Sequence, residues 1–543
     1  MTSQPHYFHT TWIQPTDERL DVDVCVYGGN AAGVVAAVKA SELGMSAVLL
    51  QPGQHLGGMT TGGLSWTDYG SRHVIGGMSR AFYRGLGAEA GMEGEYWHFW
   101  PSDATRRIEA MCRDAGLDVR RATFLDQVQM AGRRIVGISL LGGLTVRARQ
   151  FIDCSYEGDL MAAAGVSCTV GREANTEYDE TLNGVQCRQT HQFDPHAVDP
   201  FVVEGDPSSG LLPFVESRDL RRDQGRADHK IQAYNFRICM TDDPAIRVDW
   251  RRPEGYDPMH YELAARWFRN DSWGSWNATL PHDPATDPRQ APNKFDILDR
   301  ATDAGWHKAD VNNHGPCSSD FIGANYTWPT ADYAIRERIF QEHVRYQQGL
   351  YWFMANDPRV PGPLREVYQR WGLPRDEFTQ TGHWPHQLYP REARRMIADH
   401  VITEHDCTGR VRPDDSVGMG SYTMDSHNCS RFVAEINGKP TVMNEGDVQV
   451  PPTEPYPVSY RAIVPRRGEC TNLIVPVCFS ASHIAYGSAR MEPVFMVLGE
   501  SAGCAANRAI ADGVAVQDVD YHRLRSMLDE AGQVLELHAV TAV

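Results

Sequence analysis

The side chains best able to move a proton near neutral pH are histidines, and five of them stand in polar, motif-like surroundings: His314, His383, His386, His427 and His483. His483 belongs to "SASHIAYGSARMEP", which reads as a polar loop. Arg490 and Glu492 follow it, either paired with each other or turned to a ligand. His383 and His386 share "GHWPHQLYPREARRM" with Tyr389, Arg391 and Arg394. Their i,i+3 spacing could suit a metal, but Pro385 and Pro390 break any helical face. No Cys or third His falls at ligand spacing, so no metal is expected. In "DSHN", Asp425 either orients His427 or caps a turn. Asn312, Asn313 and His314 suit recognition of hydroxyl groups, or a loop that satisfies its own backbone. These are the parts of a general acid–base site. His483 is the first choice, His383, His386 and His427 are the alternatives, and Arg391 and Arg490 are the cationic anchors.

Such residues act only if other elements hold a reacting group beside them. "VDVCVY" (22–27) is a short apolar run expected of a strand buried on both faces. Gly28, Gly29, Asn30, Ala31, Ala32 and Gly33 follow, and "NAAGVVAAVKASELG" reads as a helix with a small packing face, ended by Gly44. "MSAVLL" (45–50) is a second strand. The unit has the β-α-β form of a dinucleotide fingerprint, with Asn30 at the place of the middle glycine. Asn tolerates left-handed backbone better than most residues, so the turn is expected to survive. A pyrophosphate would lie on the helix N-terminus, and Gly33 would let helix and strand approach. Gln51, followed by Pro52, stands where an acidic residue usually meets the ribose. "QPGQHLGGMTTGGLSWTDYG" carries six glycines in twenty residues, among them Gly57, Gly58, Gly62 and Gly63 around Met59 and Thr60. Close backbone passage along a flavin nucleotide explains that density better than a nicotinamide cofactor does. His55, just before "LGGM", is a place where a covalent flavin link could form.

Near the other end, "LIVPVC" leads through the His483 loop to a small-residue helix over about 494–511, with Gly499, Ala502 and Gly503 on one face. That face suits either a flat ring or close packing on another element.

Taken with "YGGNAAGVVAA", "QHLGGMTTGGLSWTD", "IDCSYEGDLMAAAGVSCTVGRE", "QAYNFRICMTDDP", "NNHGPCSSDFIGANY", "TGHWPHQLYPREARRM", "GMGSYTMDSHN", "NEGDVQVPP" and "LGESAG", the chain resembles the FAD-dependent oxidoreductase family. Members of that family are often labelled "xanthan lyase". The motifs follow one another over nearly the whole length. The resemblance implies an α/β, Rossmann-like FAD domain of glutathione-reductase type. "FIDCSYEGD" would be the strand and turn returning to the cofactor, with Gly158 and Asp159 beside it. Val128, in the expected β-meander before it, and Glu492 complete the set expected at the cofactor. Gln51 departs from the family's usual Glu. Glu500 stands where the helix more often has a neutral residue.

The 543 residues are too many for one compact core. The expected organisation is an FAD-binding domain split into 21–172 and 455–514. An α+β substrate or cap domain fills 173–454, and 515–543 form a C-terminal helix and tail. Within the middle, Ala331–Asp357 reads as one long amphipathic helix and Asp271–Asp296 as a polar loop. A net charge of −18 disfavours nucleic acid and anionic lipid as partners. No apolar run reaches a membrane span, and the start has no signal-peptide pattern. Twelve scattered cysteines with no C-x-x-C pair point to reduced thiols, so a cytoplasmic location is expected.

The function expected on these grounds is a dehydrogenase or oxidase that moves a hydride from a small polar hydroxylated substrate, a sugar or polyol, to flavin N5 with a His base. The electron acceptor, oxygen or a redox partner, is open. A reductase or desaturase of a carbon–carbon double bond, with Arg391 or Arg490 on a carboxylate, is the alternative. A flavin-independent lyase and a non-catalytic flavin-binding protein complete the range.

Overall fold

The computed structural model describes residues 4–188, 190–193, 197–269, 308–313 and 315–537. His314, one of the five candidate histidines, and the loop 271–296 lie outside them.

The first strand, β1 (Arg19–Tyr27), carries the run "VCVY" fully buried at its C-terminal end. It is followed by α1 (Ala31–Glu42) and β2 (Ala47–Gln51), and β1 and β2 pair in parallel with Val26 opposite Leu49. The next strands are β3 (Asp118–Arg121), β4 (Leu125–Ala131), β5 (Arg134–Leu140) and β6 (Thr145–Asp153). The sheet order is β3-β2-β1-β6-β5-β4, with β4 and β5 as an antiparallel meander and β6 returning parallel to β1. The strand Leu473–Ile474 adds beside the C-terminal half of β6, also in parallel. Only two residues of "LIVPVC" therefore pair, because the segment touches the sheet only where β5 has left β6. Residues more than 300 positions apart close one sheet.

The small-residue helix runs over Glu492–Asp512 and lies on α1. The expected polar loop before it is instead a short helix, His483–Ala489, capped by Ser482, whose side chain accepts from Ala485 N–H. The Ser-x-x cap and the run "HIAYGSA" explain the difference, since both favour a helical turn. The tail helix, Tyr521–Glu530, buries Leu524 and Leu528 and leaves its other face exposed.

Among the described residues, three large apolar cores organise the chain, with a small fourth around Phe432 and Met443. One lies between the sheet, α1 and the small-residue helix, and Val417, Met424 and Val448 join it. A second, on the other face of the sheet, includes Tyr27, Leu50, Phe151 and Leu473. The third is built around the long cap helix Tyr333–Asn356 with Tyr234, Phe236, Trp328 and Trp384. The twelve cysteines are all unpaired. Among the described residues no helix is long and apolar enough to cross a membrane.

Candidate functional site

The turn after β1 shows why its residue types are needed. Gly28 has φ +100°, and a Cβ there would stand 2.4 Å from the Ser155 amide nitrogen. A Cβ on Gly33 would stand 1.8 Å from the Gly28 carbonyl oxygen, so only glycine lets α1 meet the strand. Asn30 is extended (φ −69°, ψ −178°) rather than left-handed, which corrects the reason expected for it. It works as a cap: its Oδ1 accepts from Gly33 N–H at 3.0 Å, while its Nδ2 donates to Cys154 O at 2.6 Å. Gln51 Oε1 accepts from Gly29 N–H at 2.7 Å. The amide of Gln51 thus fastens the turn from the end of β2.

The cleft over this turn is lined by Gly28, Gly29, Asn30, Pro52, His55 and Gly58, with Cys154–Glu157 packed beside the turn. Ala31 and Ala32 open α1 at its edge, and the first amides of a helix have no partner within it. A glycine-floored cleft ending on a helix N-terminus fits the pyrophosphate of a dinucleotide.

The glycine-rich loop is tied to both halves of the split sheet. Gly57 N–H donates to Gly29 O at 2.7 Å, and Met59 N–H donates to Tyr156 OH at 2.9 Å. Thr60 and Tyr156 both donate to the carboxylate of Glu492, at 2.7 and 2.6 Å. Burial pushes the Glu492 carboxyl up to about 7, against these two hydrogen bonds. Gly62 and Gly63 approach Gln387 and the Arg237 backbone too closely for a side chain. Gly158 is the left-handed cap of a short helix. Asp159 is held by Arg336 and Arg394, so it ties the turn after β6 to the helix Tyr333–Asn356. Gly499 and Gly503 turn to α1, where a Cβ on Gly499 would lie 2.4 Å from Ala32 O, and Ala502 is buried on the same helix. Val128 packs on the opposite face of the sheet and does not line the cleft. Glu500 pairs with Lys39 at 3.0 Å, which accounts for its buried charge.

A second, polar cavity opens beyond the start of the small-residue helix. It is lined by Asp68, Asn312, Asn313, Tyr389, Tyr422, Asp425, His427, Gln449 and Met491. His427 Nδ1 lies 2.8 Å from Asp320 Oδ2, and its Nε2 lies 3.3 Å from Asp425 Oδ2. Arg490 pairs with Asp425 at 2.9 Å and donates to Tyr389 OH at 3.0 Å. It does not pair with Glu492, which was one of the two expected arrangements. Arg391 pairs with Asp320 at 2.9 Å and lies over the Tyr389 ring at 4.7 Å. Arg237 holds Asp310 and, at 3.5 Å, Asp68. Burial alone would raise the Asp425 carboxyl, but His427, Arg490 and Arg391 hold it well below the usual range. Asp320 is lowered in the same way by Arg391 and His427.

The other histidines stand elsewhere. His483 is buried at the start of its short helix, with Nδ1 2.8 Å from Glu392 and Nε2 3.0 Å from Ser426 Oγ, and it lines neither cavity. His383 adopts φ +69° and its Nδ1 lies 3.2 Å from Glu377 O. His386 stacks on His55 with ring centroids 4.1 Å apart, and both rings line the cleft. Burial lowers His55 to about 4 and holds His386 well below its ordinary value, so both are neutral near pH 7. Arg394 donates to Glu157 O at 2.9 Å. Asp68, Asp320, Tyr422 and Gln449 were not singled out in the sequence. Asp320 and His427 are 107 positions apart, and no spacing connects them.

A family model described as FAD dependent oxidoreductase matches residues 23–528, and the chain belongs to that family. FAD is the family's cofactor, and the cleft fits it. Among solved structures, the chain is similar over part of its length to a flavin monooxygenase from Stenotrophomonas maltophilia. Identity there is 19%, covering 25% of this chain and 38% of that one, with a TM-score of 0.19. L-proline dehydrogenase from P. horikoshii is 13% identical over 29% of this chain and 59% of its own, with a TM-score of 0.24. THI4 from Thermovibrio ammonificans is 19% identical over 30% and 71%, with a TM-score of 0.22. No curated protein matches the chain.

Proposed function

We propose that the protein is an FAD-dependent dehydrogenase or oxidase of a small, neutral, polyhydroxylated substrate, a sugar or polyol, with His427 as the proton acceptor. The reading rests on a glutathione-reductase-type FAD domain split into 21–172 and 455–514, with 173–454 as the cap. Bound FAD supplies the hydride acceptor. Gly28–Gly33, Gln51, Pro52 and the 57–63 loop hold it.

The observation that carries the substrate class is the make-up of the polar cavity. Asn312, Asn313 and Gln449 offer amide donors and acceptors, Tyr389 and Tyr422 offer phenols, and Asp68 and Asp425 offer acceptors. Arg237, Arg391 and Arg490 are each already paired with a carboxylate, so the wall carries little free positive charge. A neutral polyol matches this lining, and a substrate carboxylate would meet Asp68 and Asp425. That disfavours the double-bond reductase.

His427 has the arrangement of an oriented base. Asp320 on Nδ1 fixes the ring and stabilises the imidazolium formed when Nε2 takes the hydroxyl proton. Asp425, kept ionised, accepts from that hydroxyl or its neighbour. The role moves from His483 to His427 because His427 lines the polar cavity, whereas His483 lines neither cavity and is held between Glu392 and Ser426.

The test is anaerobic titration of the holoenzyme with a panel of neutral sugars and polyols beside C4 dicarboxylates. Bleaching of the flavin band by a member of the first group is expected. Bleaching by none of them, with reoxidation of reduced flavin by an unsaturated dicarboxylate, would replace this reading with the reductase.

A further inference from the structure

Two residues in the wall of the cofactor cleft come from ahead of the first strand: His6 and Tyr7 line it together with Gly28–Asn30. They belong to residues 5–12, which lie outside the 23–528 match to the family.

The segment is fastened chiefly at one side chain, Glu337 on the long cap helix. His6 Nδ1 lies 2.6 Å from Glu337 Oε1, and the amides of Tyr7 and Phe8 donate to Oε2 at 2.7 and 2.9 Å. Gln341, one turn further along, donates to Pro5 O at 2.8 Å and to Glu337 at 2.8 Å. Beyond this anchor the segment crosses to the sheet domain. The Phe8 ring meets Phe124, next to β4, edge-on at 4.8 Å and stacks on Tyr333 of the cap at 5.7 Å. Tyr7 packs on Trp328 at 4.9 Å and takes a hydrogen bond from Arg336 at 3.2 Å. A separate anchor follows at Thr16, whose N–H donates to Gly142 O at 2.8 Å. The segment thus runs from the helix Tyr333–Asn356 to Phe124 along the wall of the cleft, and Glu337 holds its His6, Tyr7 and Phe8 polar groups together beside the ring contacts.

We propose that residues 5–12 are a strap that closes over bound FAD, with Glu337 as its fastening and His6 and Tyr7 as cofactor-facing residues. The inference rests on the assignment of that cleft to FAD. Closure of this kind slows release and tightens FAD binding, and because linkage is reciprocal in binding free energy, bound FAD then stabilises the closed strap. The strap adds to retention without entering the chemistry, so its signature is in cofactor exchange.

The test measures FAD release from the holoenzyme into a flavin trap by recovery of FAD fluorescence. It compares wild type, a chain lacking residues 1–12 and Glu337→Ala. Hydrogen exchange of residues 5–12 is followed in wild type with and without FAD. The expected result is release faster by about tenfold or more in both variants, the scale of hydrogen bonds lost from one carboxylate. FAD-dependent protection of the Tyr7 and Phe8 amides should accompany it. If the shortened chain does not fold, Glu337→Ala alone decides the question. Unchanged release would overturn the strap while leaving the FAD assignment in place. Faster release without FAD-dependent protection would make the segment a structural tie and would also overturn it. A wild-type chain that binds no FAD would remove the cofactor assignment and the strap together.

Discussion

At the residue scale, the chemistry lies in buried carboxyl groups and their partners. Glu492 joins the glycine-rich loop to the small-residue helix, and burial raises it to about 7. An unfolded Glu titrates near about 4.3. The native state therefore holds a proton that the unfolded state has lost between about pH 4.5 and 7. Its contribution to stability is present below that window and is lost as pH rises through about 7. In Glu492→Gln this contribution cannot change with pH. The thermal midpoint of wild type relative to Glu492→Gln is accordingly expected to fall as pH is raised from about 5 to 8. A pH-independent difference in thermal melts would contradict this. Little of the pairing was legible in the sequence. Asp425 beside His427 was a local signal, two positions apart. Asp320, which holds the other ring nitrogen, comes from a separate segment, and Glu392 reaches His483 across 91 positions.

At the element scale, the sequence was most legible where period and composition agree with packing. The β-α-β unit and the long cap helix follow the apolar pattern closely, the latter over Tyr333–Asn356. The polar residues of the His483 segment match a loop pattern and hide the turn that Ser482 caps. The glycines gave the fold but were ambiguous in cause. Gly33, Gly499 and Gly503 serve contacts between the protein's own backbones. Gly33→Val must push α1 away from Gly28 O, which opens the turn that Asn30 and Gln51 fasten. The purified variant is expected to be colourless while wild type is yellow. A fully FAD-loaded Gly33→Val would show that the cofactor is held elsewhere.

At the scale of the whole molecule, residues 173–454 meet the sheet and its helices through shared core residues such as Val417 and Met424 and through buried ion pairs. Arg336 of the cap helix makes a bidentate pair with Asp159, at 2.6 and 2.8 Å, and Arg394 adds a third contact. The arginine is buried, and burial alone would raise Asp159, but Arg336 and Arg394 keep it below the usual carboxylate range. Removing one partner of such a pair leaves a poorly compensated charge. Arg336→Ala is expected to cost about 3 kcal/mol or more in denaturant unfolding. A change under about 1 kcal/mol would mean that solvent replaces the guanidinium there. Motif order along the chain suggests that its two ends share one sheet, as Leu473–Ile474 beside β6 do. The ion pairs could not be drawn from it, because each connects residues brought together only by the finished fold.

All three scales meet in the proton transfer assigned to His427. The most direct measurement is the anaerobic rate of flavin reduction in single turnover, with the best substrate of the polyol panel, for wild type, His427→Asn and His483→Asn, each loaded with FAD. His427→Asn is expected to keep its flavin spectrum and to lose about 10²–10⁴-fold in reduction rate, with reoxidation unchanged. His483→Asn is expected to lower thermal stability, since Glu392 and Ser426 lose a buried partner, while its reduction rate stays within a few-fold of wild type. A wild-type reduction rate in His427→Asn, with the large loss found instead in a folded His483→Asn, would contradict the account.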